Sequence, residues 1–391
     1  MLIIFLVTFI GLMGFGIILP LFPFYAERLG ASPEVITLTM AVFSLGQFIA
    51  APFWGRLSDS IGRKKVLIIS LIGSTISYVM LAFAETLTMV IISRVLSGLM
   101  AGNISIAFAY VADITDEENR SAGLGKVSAA LGLGFMTGPA IGGFLAGNDI
   151  ENANYVLTAL AGAGINLIAL IGAMLFLKES LPDSDRKSMD GLFKIFKKET
   201  FKPGKKIIFF ALCGLFFYSG MSLMEAIFPL WANQIFMYGP THIGSVFFML
   251  GLISVIIQGG LIGPLTKLFG EIKLVQLAAV FMMIGLSLIG SAISLLTLWM
   301  GLFFYGCGAA MFNPSLSSLV SKSANANEKG LFLGQYQSAC ALGRILGPTF
   351  SGILFSQISA SAPLYTGAML GIPVIVLITN FALRQKNEGI E

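Results

Sequence analysis

The chain reads as about twelve long apolar runs separated by short polar breaks, and most of those runs reach or exceed the roughly 20 residues a helix needs to cross a bilayer. Helices are predicted at about 2–26, 34–56, 65–84, 88–112, 121–147 and 154–177, then at about 206–235, 241–266, 272–294, 296–320, 327–357 and 361–384. A single long polar stretch, 178–205, rich in Lys, Asp and Ser, divides six runs from six. The pattern predicts an all-α membrane protein of twelve transmembrane helices.

Composition agrees with the pattern. Of 391 residues 56% are hydrophobic and 11% charged, with a mean hydropathy of +0.88, whereas soluble domains carry roughly a quarter charged residues. Net charge is only +4, so the position of the cations matters more than their number. Arg56 to Lys65, Arg120, Lys178 to Lys206, Lys267, Lys273, Lys322, Lys329, Arg384 and Lys386 fall on one set of junctions, and only Arg28 on the other. The positive-inside rule then places both termini and the 178–205 stretch of a multi-pass membrane protein in the cytoplasm. Cys213, Cys307 and Cys340 lie in apolar runs without paired spacing and read as packing residues, with no metal site expected. The apolar start continues past Pro20 and Pro23 without a basic leader, so it is expected to be retained as the first helix.

Internal repetition sets the architecture. Gly55-x-Leu57-x-x-x-x-Gly62 recurs as Gly263-x-Leu265-x-x-x-x-Gly270, 208 residues on, and Gly138-Pro139 recurs as Gly347-Pro348, 209 residues on. Two pseudo-symmetric six-helix bundles follow, at 1–177 and 206–391, joined by the cytoplasmic linker 178–205. Within the linker Leu192, Phe193 and Phe196 recur at helical spacing beside Lys194, Lys197 and Lys198; an amphipathic helix on anionic lipid and a solvated linker helix both fit.

The stretch GRLSDSIGRKK, Gly55 to Lys65, reads as a tight polar turn at the membrane surface, with glycine at both ends and a basic cluster. In its second copy Asp59 is replaced by Lys267 and Arg63 by Glu271, so the charge arrangement is expected in the first half alone. Around Gly134, Gly138, Gly142 and Gly143 of the fifth run no strand precedes the glycines and no Walker lysine follows, which excludes a phosphate cradle there.

Four motifs in order carry a resemblance: GRLSDSIGRKK; Arg94, Gly98 and Gly102 in the fourth run; GFMTGPAIGG, Gly134 to Gly143, in the fifth; and GIILPLFP, ending at Pro23, in the first. Together they resemble the major facilitator superfamily, in particular its twelve-helix drug:proton antiporter group, which includes bacterial tetracycline and multidrug exporters. Gly11 to Leu19 is uncharged where tetracycline exporters usually carry an acid, which speaks against tetracycline–metal specificity. The resemblance implies alternating access, with the substrate path between the two halves. It further implies that Asp59, Arg63, Asp113 and Arg120, on the frame of Gly55 and Gly62, form a cytoplasmic charge latch, with an Asp59 contact to the start of helix 11. For the fifth run it implies that Gly134, Gly138, Pro139, Gly142 and Gly143 seal a contact between the halves; ordinary small-residue packing fits them too.

Glu225, in SGMSLMEAIFPLW, is the sole acid well inside an apolar run. An intramembrane ionisable group is costly and marks function, so Glu225 is the proton-coupling candidate, against a fixed structural ion pair. Arg94, which resembles the family's proton-linked arginine, is grouped with it; donation to backbone carbonyls is the alternative. Arg344, in ALGRILGP, lies deep in the eleventh run and needs a partner: Glu225, an anionic substrate group, or a fixed pair or helix carbonyls. Gln47, Asn103, Tyr218, Gln258, Asn313 and Gln337 are polar positions in apolar runs and candidate cavity residues. His242 is assigned nothing.

The function expected is a proton-coupled secondary active transporter, an efflux antiporter for amphipathic small molecules. The alternatives are a dedicated exporter of one physiological, anionic metabolite (siderophore, lipid or sugar) and a non-transporting membrane receptor or scaffold. No nucleophile–base pair, metal cluster or cofactor loop points to an enzyme. No cofactor is expected beyond the coupling proton, and the expected partners are a small-molecule substrate and membrane lipid, with no nucleic acid, for a monomeric chain.

Overall fold

A computed structural model describes the backbone of residues 1–182, 184, 186, 205–324 and 329–387, and side chains throughout these except at 117–122, 205–206, 329–331 and 385–387. All secondary structure among the described residues is helical. The first unit, Met1–Ser32, Val42–Thr200 and Met237–Gly251, is built from α1 (Leu2–Ile18), α2 (Phe22–Arg28), most of α3 (Pro33–Ile61), α4 (Arg63–Ala82), α5 (Leu87–Met100), α6 (Asn103–Ile114), α7 (Glu117–Ala146) and α8 (Tyr155–Phe176). It also takes in most of α10 (Pro240–Ile256). The second unit, Pro33–Ala41, Phe201–Phe236 and Leu252–Glu391, holds α9 (Lys205–Phe236), α11 (Ile262–Gly290), α12 (Leu295–Ser323), α13 (Lys329–Gln357), α14 (Ala362–Met369) and α15 (Gly371–Asn387).

Among the described residues eleven helical spans are long and apolar enough to cross a membrane, and one of them, Pro240–Gly290, has 51 residues. Twice the length of a crossing, it leaves the helical conformation at Gly270 (φ 74°, ψ 158°), so the chain makes twelve crossings. Three predicted helices are each interrupted. The first breaks between Ile18 and Phe22, where Pro20 and Pro23 cannot donate to the helix. The fourth breaks between Met100 and Asn103, and the twelfth at Leu370, ahead of Pro373.

The turn expected over Gly55 to Lys65 is shorter than predicted. Helix α3 runs on through Ile61, and α4 begins at Arg63. Gly62 alone reverses the chain with φ 106° and ψ 151°, a left-handed value that glycine adopts without the Cβ penalty. The polar residues before it are accommodated in the helix: Ser58 Oγ donates to the Gly55 carbonyl at 2.7 Å, and Asp59 pairs across the turn with Arg63, the first residue of α4. Gly55 is therefore a helix residue and not a turn residue; nothing lies within 4 Å of where its Cβ would be.

Small residues set the helix contacts in both units. A Cβ on Gly134 would meet the Phe9 carbonyl at 2.7 Å, and one on Gly138 the Met13 carbonyl at 2.6 Å, so α7 lies backbone to backbone on α1. A Cβ on Gly343 would meet the Leu215 carbonyl at 2.7 Å, and one on Gly347 the Ser219 carbonyl at 2.7 Å. Helix α13 thus packs on α9 as α7 packs on α1. The stretch Leu192–Lys198, with its two readings as a surface helix, lies outside the described residues.

Candidate functional site

The intramembrane charges of the second unit stand on the closely packed pair α9 and α13. Glu225 is half-buried on α9 and Arg344 exposed on α13. Their charges interact electrostatically without a direct ion pair. The Arg344 guanidinium lies over the Tyr218 ring, 4.8 Å from its centroid, and Tyr218 and Tyr305 both lie within electrostatic range of Glu225. Because Gly343 and Gly347 flank Arg344 and seat α13 on α9, the backbones meet closely and the long Arg344 side chain projects from the edge of that contact.

Two prolines sharpen the site. Pro229 follows Glu225 by four residues and Pro348 follows Arg344 by four, and neither can return a helical hydrogen bond to those carbonyls. A third, Pro314, likewise releases the Ala310 carbonyl, which accepts from Gln258 Nε2 at 3.3 Å. Gln258 itself sits on the π-helical turn Ile257–Leu261, a distortion frequent at functional sites. Asn313 Oδ1 accepts from the Tyr336 hydroxyl at 3.1 Å and from Ser317 Oγ at 3.4 Å. Gln337 is exposed. The spacing of proline and polar residue was available in the sequence; the Tyr336–Asn313 bond, joining α13 to α12, was not.

In the first unit Arg94 on α5 is 4% exposed. Its guanidinium lies 5.4 Å from the Phe22 ring centroid and 5.9 Å from that of Tyr78. Nε and Nη2 donate to no described group, so the backbone carbonyls considered from sequence do not receive these two donors. The aromatic faces provide cation–π contact in their place. Asn103 follows the break after α5, with Nδ2 3.2 Å from where a Gly11 Cβ would be, and Gln47 is half-buried on α3.

At the Gly62 turn Arg63 is the hub. Its Nη1 pairs with Asp59 at 2.5 Å and bonds Ser58 Oγ at 2.6 Å, and its Nε pairs with Asp113 at 2.9 Å. The Arg63 side chain is only 9% exposed, so these charge-assisted bonds are shielded from water. Sequence reasoning missed Ser58, Ser180, which donates to Asp113 at 3.0 Å, and Glu179. Glu179 accepts the backbone N–H groups of Arg63 at 2.7 Å and Lys64 at 3.2 Å, capping the start of α4. The side chain of Arg120 lies outside the described residues.

The expectation that only the first half carries such an arrangement is corrected. Glu271, which takes the place of Arg63, pairs with Lys322, and Ser318 Oγ donates to it at 3.1 Å. Lys322 follows Asp113 by 209 residues. The ion pair is preserved with its signs exchanged, which position-by-position comparison of one stretch conceals because both partners changed.

On α7, Gly134, Gly138 and Gly142 face α1, whereas Gly143 faces α10. A Cβ on Gly143 would meet the Pro240 carbonyl at 2.5 Å, and Thr241 Oγ1 donates to the Gly143 carbonyl at 2.9 Å. Three of the four glycines thus pack within the first six helices. Cys213, Cys307 and Cys340 are buried and unpaired. Among the described residues no group of His, Cys, Asp and Glu is arranged to hold a metal ion.

The chain is 32% identical to "Multidrug resistance protein 2" of Bacillus subtilis over 89% of its own length and 86% of that protein's. It is 27% identical to "Quinolone resistance protein NorA" of Staphylococcus aureus, over 95% and 94%. The crystal structure of the human organic anion transporter MFSD10 superposes with a TM-score of 0.73 at 25% identity, covering 96% of this chain and 98% of that one. The model of the Major Facilitator Superfamily matches residues 4–348 and 210–389. With twelve crossings, the repeated glycine turns and the charge hub at Arg63, the chain belongs to the Major Facilitator Superfamily.

Proposed function

We propose that this protein is a proton-coupled multidrug efflux antiporter that exports amphipathic small molecules by alternating access. The observation that carries this reading is Glu225, half-buried on α9 within electrostatic range of Arg344. A lone intramembrane carboxyl that gains and loses a proton changes the charge facing Arg344, which is the differential interaction a two-state cycle needs. The names of the Bacillus and Staphylococcus relatives support drug export. Proton entry from outside through about 100 mV supplies roughly 2.3 kcal/mol per charge, with roughly 1.4 kcal/mol more for each pH unit.

In this reading Arg94 assists coupling, and Arg344, Tyr218, Gln258, Asn313, Gln337, Asn103 and Gln47 contact substrate. The Arg63 hub with Asp59, Asp113 and Arg120 latches one state. Both termini lie in the cytoplasm of a bacterial inner or plasma membrane, no cofactor takes part, and the chain works as a monomer.

The deciding experiment uses protein reconstituted into proteoliposomes, with ethidium as the transported probe. An imposed pH gradient drives ethidium movement by the wild type, and Glu225→Gln abolishes the driven movement while leaving ethidium exchange down its own gradient. Full gradient-driven transport by Glu225→Gln overturns the assignment.

A further inference from the structure

The first unit holds a cavity of about 350 Å³ at the end opposite Arg63, lined by Tyr25, Arg28, Phe83, Glu85, Tyr155 and Val156 among others. Its floor is a stacked aromatic pair, with the Tyr25 and Tyr155 rings 4.9 Å apart at 16°. Both hydroxyls are anchored to backbone: Tyr25 donates to the Ala84 carbonyl at 2.5 Å and Tyr155 to the Ile150 carbonyl at 2.8 Å. The pair is therefore held rigidly by α2, the end of α4 and the start of α8. Arg28 lies over it, 5.4 Å from the Tyr155 centroid.

Charge is mixed around this floor. Arg28 and Glu85 both act electrostatically on the Tyr25 hydroxyl, and Arg28, Glu27 and Asp149 on that of Tyr155. Yet Arg28 and Glu85, both exposed, form no ion pair with each other or with another described residue. One cation and one carboxylate thus line the same cavity with their charges unspent. The cation is also the only basic residue on the junctions of this side.

The rim is apolar and exposed. Phe83 is 60% exposed and Val156 44%, and Val79, Ile76 and Leu157 continue the greasy surface along α4 and α8. In a chain that spans the bilayer twelve times, such a surface meets acyl chains, and the exposed charges Arg28 and Glu85 at its end stand at the headgroup level. A cavity of this size suits a headgroup-sized ligand.

The geometry points to a binding site for a zwitterionic phospholipid bearing a primary ammonium, of phosphatidylethanolamine type. Its phosphate meets the Arg28 guanidinium, its ammonium donates to Glu85, and its acyl chains run along Phe83 and Val156. An anionic headgroup satisfies Arg28 but faces Glu27, Glu85 and Asp149 with like charge. A choline headgroup carries no N–H to donate to a carboxylate. The site does not depend on the transport reading or on which solute is carried.

Native mass spectrometry of the full chain, purified in detergent and offered equal amounts of dioleoyl phosphatidylethanolamine, phosphatidylglycerol and phosphatidylcholine, tests it. An exposed charge pair contributes up to about 1 kcal/mol, so the ethanolamine lipid is expected to be retained about threefold to fivefold over either competitor. Glu85→Gln should erase the preference over phosphatidylglycerol, Arg28→Gln should lower binding of the ethanolamine lipid, and Lys273→Gln, on the other unit, should change neither. Equal retention of all three lipids by the wild type overturns the proposal whether or not the variants fold. So does displacement of the lipid by an equal concentration of free phosphoethanolamine, which would identify a soluble ligand instead.

Discussion

Gly62 and Gly270, 208 residues apart, leave the helix in the same way, with φ 106° and 74° and ψ 151° and 158°, each immediately before the residue that bears an ion pair of its unit. Their surroundings differ. A Cβ on Gly62 would strike the Glu179 carboxyl, whose Cδ lies 2.8 Å away, whereas nothing lies within 4 Å of a Cβ on Gly270. Alanine at either position costs on the order of 1–3 kcal/mol, because positive φ with ψ near 150° is a region that only glycine adopts readily. At Gly62 it also displaces the carboxylate that caps α4, adding about 1 kcal/mol. Thermal unfolding of the purified variants should therefore show the larger loss for Gly62→Ala, and equal losses would remove Glu179 from the turn.

The two ion pairs should respond unequally to deletion. Arg63 is shielded and holds Asp59, Asp113 and Ser58 at once, so Arg63→Gln should destabilise by about 2–3 kcal/mol through carboxylates left without their cation. Lys322 is 66% exposed, and Lys322→Gln should cost less than about 1 kcal/mol. The double exchange Glu271→Lys with Lys322→Glu restores the pair and should recover most of what Glu271→Lys alone loses. Denaturation of the four variants side by side provides the comparison.

Asp59 stands at the cytoplasmic end of α3 in the proposed orientation and pairs with Arg63 across the Gly62 turn. Asp59→Asn should slow ethidium turnover in proteoliposomes while leaving equilibrium ethidium affinity nearly unchanged. A large loss of affinity, read by fluorescence titration, contradicts a latch role.

At Arg344, charge and planar stacking separate experimentally. Lysine keeps the charge but not the flat guanidinium that lies on Tyr218. If stacking positions the cation, Arg344→Lys and Tyr218→Phe should differ: the first weakens ethidium transport several-fold, while the second, which keeps the ring face, changes it little. Equal, severe loss in both would mean that the Tyr218 hydroxyl is the functional group.

Much of the candidate site is legible in the chain because membrane helices are severe about charge. Glu225, Arg94 and Arg344 stand out in apolar runs since each is costly there, and the repeats of Gly62 and Gly138 survive because turns and close backbone contacts tolerate little else. Glu179 and Ser180 were hidden in a stretch that looks like linker, and their bonds to Arg63 and Asp113 span more than 60 residues. The Glu271–Lys322 pair was hidden for another reason: an exchange of both signs preserves the attraction and erases the motif.

Helical content, membrane crossing and the two-fold repeat follow from sequence alone, because the bilayer requires internally satisfied backbone and the apolar runs admit few other solutions. Which groups meet is a tertiary matter. The aromatic cage around Arg94, the seat of Arg344 on Tyr218, and the single-residue turn at Gly62 all depend on how closely particular backbones approach. That approach is set where glycines on one helix face glycines and carbonyls on another, a pairing that local periodicity does not encode.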